Sequence, residues 1–145
     1  MLEFKDFPKV QDILSIIKIE SRFNPNARNG VSNGLMQVNH GSLDIGTNMS
    51  QGVKLLREYY VMLGSERAAV LAYNSGPSSY RRGRFKIKYF EKFKENRYAF
   101  ERWLIRRCNN DSRTGDGNPR SDDDRPVRGS SYGIFLSANR TTCEY

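Results

Sequence analysis

Apolar positions recur at helical spacing over the first two thirds of the chain and divide it into runs. Over residues 8–23, Val10, Ile13, Leu14, Ile16, Ile17, Ile19 and Phe23 fill a wide arc at about 100° per residue. Pro8 suits a first helical turn, and Gln11, Ser15, Lys18 and Arg22 take the opposite side. "FNPNARNG" ends this helix, because Pro25 disfavours helix at Asn24 and Gly30 marks a turn. Residues 31–50 are rich in Gly, Asn and Ser and read as a loop with one short helix around "GLMQV". The helical pattern returns from Met49 to Leu63, with Val53, Leu56, Tyr60 and Leu63 on one face, and Gly64 stops it. Ser65 caps the next helix, "ERAAVLAYN", which "SGP" at 75–77 terminates. Residues 81–88, "RRGRFKIK", alternate loosely. Residues 89–107 predict a last amphipathic helix carrying Phe90, Phe93, Phe100, Trp103 and Leu104.

Beyond Arg107 the pattern is lost. "CNNDSRTGDGNPRSDDDRPVRGSS" holds almost nothing that packs, and only "YGIFL" at 132–136 could add a short strand. The expected organisation is therefore a mainly α domain over 1–107 and a polar, poorly structured tail over 108–145. At 145 residues the chain suffices for one domain with a real core.

Composition sharpens this. Apolar residues make up 37% and charged residues 28%, within the globular range. The net charge of +8 is uneven: residues 1–107 hold 19 Lys/Arg and 10 Asp/Glu, residues 108–145 hold 5 and 6. A basic domain favours anionic partners, whether nucleic acid, anionic lipid or an acidic wall polymer. Two cysteines, Cys108 and Cys143, do not make a disulfide framework; one bridge closing the tail and two free thiols both fit. His40 is the only histidine, which excludes a multi-histidine metal site. The start "MLEFKDFPK" has no basic region followed by an apolar one, as a secretory leader would, and "ILSIIKI" is too short to span a bilayer.

One residue breaks the pattern in a chemically informative way. On the wheel of the first helix, Glu20 falls inside the apolar arc, between Ile13 and Ile16. A carboxyl in apolar surroundings is disfavoured in its ionised form, so its pKa rises, as a general acid working near neutral pH requires. The alternative is a slightly rotated helix with Glu20 at the rim, paired with Arg22 or Lys18. "SNGLMQVNHGS" sets Met36 and Gln37 on a glycine-flanked loop where backbone can approach a ligand closely. "LAYNSGP" sets Tyr73 and Asn74 at a helix end. "LDIGTNMSQGVKLL" carries Asp44, Asn48 and Gly52 before or within a helix.

In this order, the stretches resemble the soluble lytic transglycosylase (SLT) family of the lysozyme superfamily. Glu20-Ser21, Phe23, Pro25, Ala27 and Gly34-Leu35-Met36-Gln37 match its first motif. Asn48 and Gly52 followed by Leu55 or Leu56 look like the middle one, and Ala72-Tyr73-Asn74-Ser75-Gly76-Pro77 matches the last, with Ser75 where Ala is common. The similarity covers roughly residues 10–80 and weakens toward 105. It implies a lysozyme-like (goose-type) helical domain that cuts the bond between N-acetylmuramic acid and N-acetylglucosamine without hydrolysis and without cofactor or metal. By the resemblance Glu20 is the single catalytic acid/base, Ser21 and Gln37 line the sugar cleft, and Met36 meets a sugar ring. Tyr73 bonds near Glu20, and Asn74 orients the substrate. The family also has a tyrosine in its last helix after a Glu-Thr pair. "ENRYAF" offers Glu95 and Tyr98, one residue short in spacing and with Asn96 for the Thr. Asn39-His40-Gly41-Ser42 replaces the usual Pro-x-Thr; His40 either faces the cleft or sits on a surface loop.

The implied partner is the peptidoglycan strand, with anionic wall polymers as further partners of a monomeric domain. Delivery by a phage particle or a secretion or conjugation machine would suit the lack of a leader. Residues 81–107 hold 11 Lys/Arg and 3 Glu interleaved with aromatics. That combination occurs in nucleic-acid binders. The spacing of Phe90, Phe93, Phe100 and Trp103 equally suits a core stripe on a solvated helix, so nucleic acid is the less favoured partner.

Overall fold

The computed structural model describes residues 6–111. Cys143, most of the expected tail and the candidate strand at 132–136 lie outside the described residues. Residues up to Trp103 belong to one compact unit, and a second begins at Leu104. Cys108, in the second, is not a free thiol.

Five helices and one small sheet follow in the order α1 (Val10–Glu20), β1 (Arg28–Asn29), β2 (Ser32–Asn33), β3 (Val38–Asn39), α2 (Ile45–Leu63), α3 (Glu66–Ser75), α4 (Pro77–Arg81) and α5 (Ile87–Asp111). The mainly α reading holds, and so do its punctuation marks. Asp44 caps α2 by accepting from the Thr47 N–H at 2.8 Å, Ser65 caps α3 by accepting from Ala68, and Gly64 closes α2 in the left-handed region at φ 76°. The third helix, expected as a short apolar run, is the centre of the fold: Ala68, Ala69, Val70, Leu71 and Ala72 are all buried. Burying a large apolar side chain contributes about 1.5–3 kcal/mol. Ile16 from α1, Leu56 from α2, Val70 from α3 and Phe93 from α5, each at most 1% exposed, share one core cluster and hold the helices together.

Several expectations are corrected. No helix forms around "GLMQV"; residues 28–39 instead make a three-stranded antiparallel sheet of two-residue strands, in the order β1-β2-β3, with Arg28 opposite Asn33 and Asn33 opposite Val38. The first helix starts at Val10, after Pro8, and its expected polar side faces solvent only in part, at Lys18 and Arg22. Gln11, Asp12 and Ser15 are buried, while Val10 is 58% exposed. The reason is a polar seam between α1 and α5. Arg97 of α5 pairs with Asp12 at 3.2 Å, with Glu66 of α3 at 3.0 Å and with Glu101 at 3.5 Å, and Gln11 donates to Glu101. Burial pushes the Asp12 carboxyl up, against the pull of the Lys9 backbone N–H and Arg97. After Gly76, α4 adds a helical turn that the Gly-Pro signal hid, since Pro77 serves as a first helical residue. Among the described residues no helix is long and apolar enough to cross a membrane.

Candidate active site

Glu20 is the last residue of α1, half-buried, where the helix meets α5. Burial raises its carboxyl above the ordinary range, and a hydrogen bond from Tyr89 partly offsets this. The Tyr89 hydroxyl donates to Glu20 Oε1 at 2.5 Å. Tyr89 is 7% exposed, and its own ionisation is pushed well upward by burial and by Glu20, so it remains a donor. The side chain at Glu20 is thus an oriented carboxyl that holds its proton to higher pH than a solvated one. Among the described residues no other carboxylate contributes to its shift. Asp12 is engaged by Arg97, and Asp44 is occupied as the α2 cap.

The chain leaves Glu20 under strain. Arg22 and Phe23 have φ of 51° and 65°, and Gln37 and His40 have 50° and 53°; these four are the non-glycine residues of positive φ among those described. Such conformations cost energy for residues with a Cβ, and they gather where surrounding structure imposes them. For Gln37 and His40 that structure is a loop braced by Asn48 of α2, which is fully buried. Its side-chain oxygen accepts from the Met36 N–H, and its amide nitrogen donates to the carbonyls of Asn33 and Ser42, each at 2.8 Å. Gly34 and Gly52 make room for this. A Cβ at Gly34 would lie 2.4 Å from the Asn48 amide, and one at Gly52 would lie 2.5 Å from the Met36 sulfur.

The expected site residues divide on this frame. Gln37 lies on the loop, and its amide nitrogen is engaged by the Ala27 and Gly34 carbonyls at 3.0 and 2.8 Å, while its side-chain oxygen has no hydrogen bond among the described residues. Asn74, at the end of α3, is exposed and makes no hydrogen bond among the described residues. Tyr73 does not bond Glu20. Its hydroxyl donates to the Met36 carbonyl at 2.7 Å, and its ionisation is pushed up by burial and by the neighbouring Glu20. Met36 cannot meet a sugar ring as placed, being fully buried against Gly52. Ser21 is 8% exposed, and its hydroxyl turns back to the Ile17 carbonyl at 3.1 Å, so it caps α1 rather than lining a cleft. His40 is exposed on its loop.

Tyr98 lies away from Glu20. It is 61% exposed, under the Arg102 guanidinium, and the tyrosine at the acid is Tyr89. The two are nine positions apart, about half a turn around α5. A signal for Tyr89 was present: with Phe93 it begins the apolar stripe at i, i+4 spacing.

Two clefts border these elements. One of about 490 Å³ lies beside the α1 exit and is lined by Lys18, Ile19, Arg22, Phe23, Lys92, Glu95 and Asn96. Another of about 830 Å³ runs along α2, from Met49 to Met62, and neither cleft is lined by any of the expected site residues.

No curated protein and no solved structure matches the chain. The family model described as the transglycosylase SLT domain does match, over residues 8–97, a span that holds Glu20, the Asn48-braced loop, Tyr73 and Tyr89. The chain belongs to that family, lysozyme-like in fold and acting as lytic transglycosylases on peptidoglycan.

Proposed function

We propose that this chain cleaves the β-1,4 bond between N-acetylmuramic acid and N-acetylglucosamine without water, with Glu20 as the only acid/base. The observation that carries the reading is a carboxyl, desolvated and held by Tyr89, on which no second carboxylate acts among the described residues. Hydrolytic glycosidases use two carboxyl groups, one to protonate the leaving oxygen and one to attack or to activate water. A single group must serve twice.

In the first step Glu20 gives its proton to the bridging oxygen. The bond from that oxygen to muramic C1 breaks as the substrate's own N-acetyl oxygen closes onto C1. In the second step the Glu20 carboxylate takes the proton of the muramic C6 hydroxyl. The C6 oxygen then attacks C1 and displaces the N-acetyl oxygen. Glu20 regains its proton, no water is consumed, and the product is a 1,6-anhydro sugar. Desolvation favours the first step by keeping the proton on Glu20; the Tyr89 hydrogen bond favours the carboxylate needed for the second. Asn74 and the Gln37 side-chain oxygen are the polar groups free to orient the strand. In this reading the domain spans 1–107.

Mass spectrometry of purified peptidoglycan after digestion tests the proposal. Muropeptides lighter by one water than their reducing-end counterparts are expected. Reducing ends alone would replace it with a hydrolytic muramidase on the same fold.

A further inference from the structure

We propose that Arg97 and Asp12 are positioning residues for the Glu20 carboxyl: their ion pair fixes α5 on α1 so that the Tyr89 hydroxyl meets Glu20. Its catalytic meaning rests on the peptidoglycan reading above.

The two helices carry matching stripes in reverse order. On α1, Asp12, Ile16 and Glu20 stand at i, i+4 spacing; on α5, so do Tyr89, Phe93 and Arg97. Asp12 pairs with Arg97 at 3.2 Å, Ile16 and Phe93 belong to one core cluster, and Glu20 accepts from Tyr89. An ionic contact, an apolar contact and the contact at the acid thus follow one another. On each helix two turns, about 12 Å, separate the first from the last.

Little else holds α5 in place. Among its described residues only Tyr89 and Phe93 are buried, and the chain from Tyr73 to Lys88 contributes no buried residue. The burial of Phe93 draws α5 onto the core but is non-directional. A hydrogen bond is directional and short-ranged. Turning α5 by about 10° would move a side-chain tip some 6 Å from its axis by about 1 Å, enough to take the Tyr89 hydroxyl off Glu20. A second directional contact is needed to stop that rotation.

Arg97 supplies it. Its guanidinium reaches Asp12 of α1 through Nε and Glu66 of α3 through Nη1, so one side chain ties α5 to the helices that carry Glu20 and Tyr73. The flat fork of arginine suits such a double contact. Asp12 is buried; its Oδ2 accepts the Lys9 N–H, and its Oδ1 makes no hydrogen bond and has Arg97 as its ion-pair partner. Displacing α5 would strand that buried charge, which the fold therefore resists. Glu101, one turn further, repeats the tie by accepting from Gln11 of α1.

The test is the titration of the Glu20 carboxyl in the full chain, read by carbon-13 NMR and assigned by its loss in Glu20→Gln. The groups facing that carboxyl are Tyr89 of α5 and Tyr73 of α3, and burial keeps both protonated. The variant is Arg97→Met with Asp12→Asn, which removes one charge of each sign and leaves no buried charge at position 12. It should fold, with Glu20 titrating at higher pH than in the parent, as in Tyr89→Phe, because the bond that favours the carboxylate has loosened. Its kcat in wall clearing should fall about ten- to a hundredfold with KM little changed. Added to Tyr89→Phe, the two substitutions should move Glu20 no further. A folded double variant whose Glu20 titrates as in the parent overturns the proposal, and so does an equal shift with and without Tyr89. Should that variant fail to fold, Arg97→Lys decides in its place: it keeps the charge but not the fork, and the same upward shift is required of it. If the titrations come out as expected while the parent clears no wall, the positioning role stands and the peptidoglycan reading falls.

Discussion

Asn48→Ala should cost this domain about 3 kcal/mol. The side chain is fully buried and makes three hydrogen bonds of 2.8 Å to backbone groups of one loop. Truncation strands the Met36 N–H in a buried place and leaves the Asn33 and Ser42 carbonyls short of a donor. A stranded buried group costs about 1–3 kcal/mol. The Met36 donor bears most of that, while the two carbonyls lie where water reaches more readily and bear less. In a domain of this size each kcal/mol lowers Tm by about 4–8 °C, so the variant stays folded at room temperature but melts about 12–24 °C earlier. Urea denaturation followed by circular dichroism measures the loss. Asn48→Asp separates hydrogen bonding from packing. It keeps the shape and the acceptor for Met36 but turns an oxygen toward two carbonyls. Only the protonated acid can donate there, so its folded pKa lies above its unfolded one. Stability is then fullest below the unfolded pKa and falls as pH rises through the folded value. The deficit of Asn48→Asp against the parent should shrink on acidification to about pH 4. A loss under 1 kcal/mol for Asn48→Ala, or a pH-independent deficit for Asn48→Asp, would refute the reasoning.

Other expectations follow from the same contacts. Gly52→Ala places a Cβ 2.5 Å from the Met36 sulfur and should destabilise by about 1–3 kcal/mol in thermal melts, with partial rescue by Met36→Ala. Tyr89→Phe removes the hydrogen bond that favours the Glu20 carboxylate, so the carboxyl rises further and the alkaline limb of the pH–rate profile should move to higher pH while kcat falls. Arg97→Met leaves Asp12 buried without its counter-charge and should cost about 3 kcal/mol at neutral pH, relieved in the double variant with Asp12→Asn; denaturation of the three chains reads this.

What the sequence disclosed was local. Asp44, Gly64, Ser65 and Gly76 act through backbone groups within a few positions of themselves, so caps and stops were readable. That Glu20 is withdrawn from water was readable because an acid on an apolar arc contradicts its own helix. Contacts that form only in the folded chain were not. Strands of two residues have no alternation to detect, so the sheet at 28–39 passed for a loop. Gln11 reads as opposite the apolar arc because nothing nearby announces that Glu101, far along the chain, will meet it. Met36 stood in a ligand-like loop, yet the side chain turns inward where Gly52 leaves space, and only its carbonyl serves the site, through Tyr73. Tyr89 and Glu20 are separated by 69 positions, beyond any periodicity, and matching a short motif favoured Tyr98 instead.

The central claim is that one carboxyl withheld from water does the chemistry, and Glu20→Gln tests it most directly. Because burial raises this carboxyl, the unfolded chain loses the proton first as pH rises, and ionisation then works against the fold. Stability from the protonated form is fully present below the unfolded pKa and lost as pH passes the folded one, so the neutral amide should melt at the same temperature as the parent or higher at pH 7. Clearing of purified cell-wall suspensions, measured beside that melt, should vanish in the variant. A well-folded Glu20→Gln chain that still clears the wall would contradict the account.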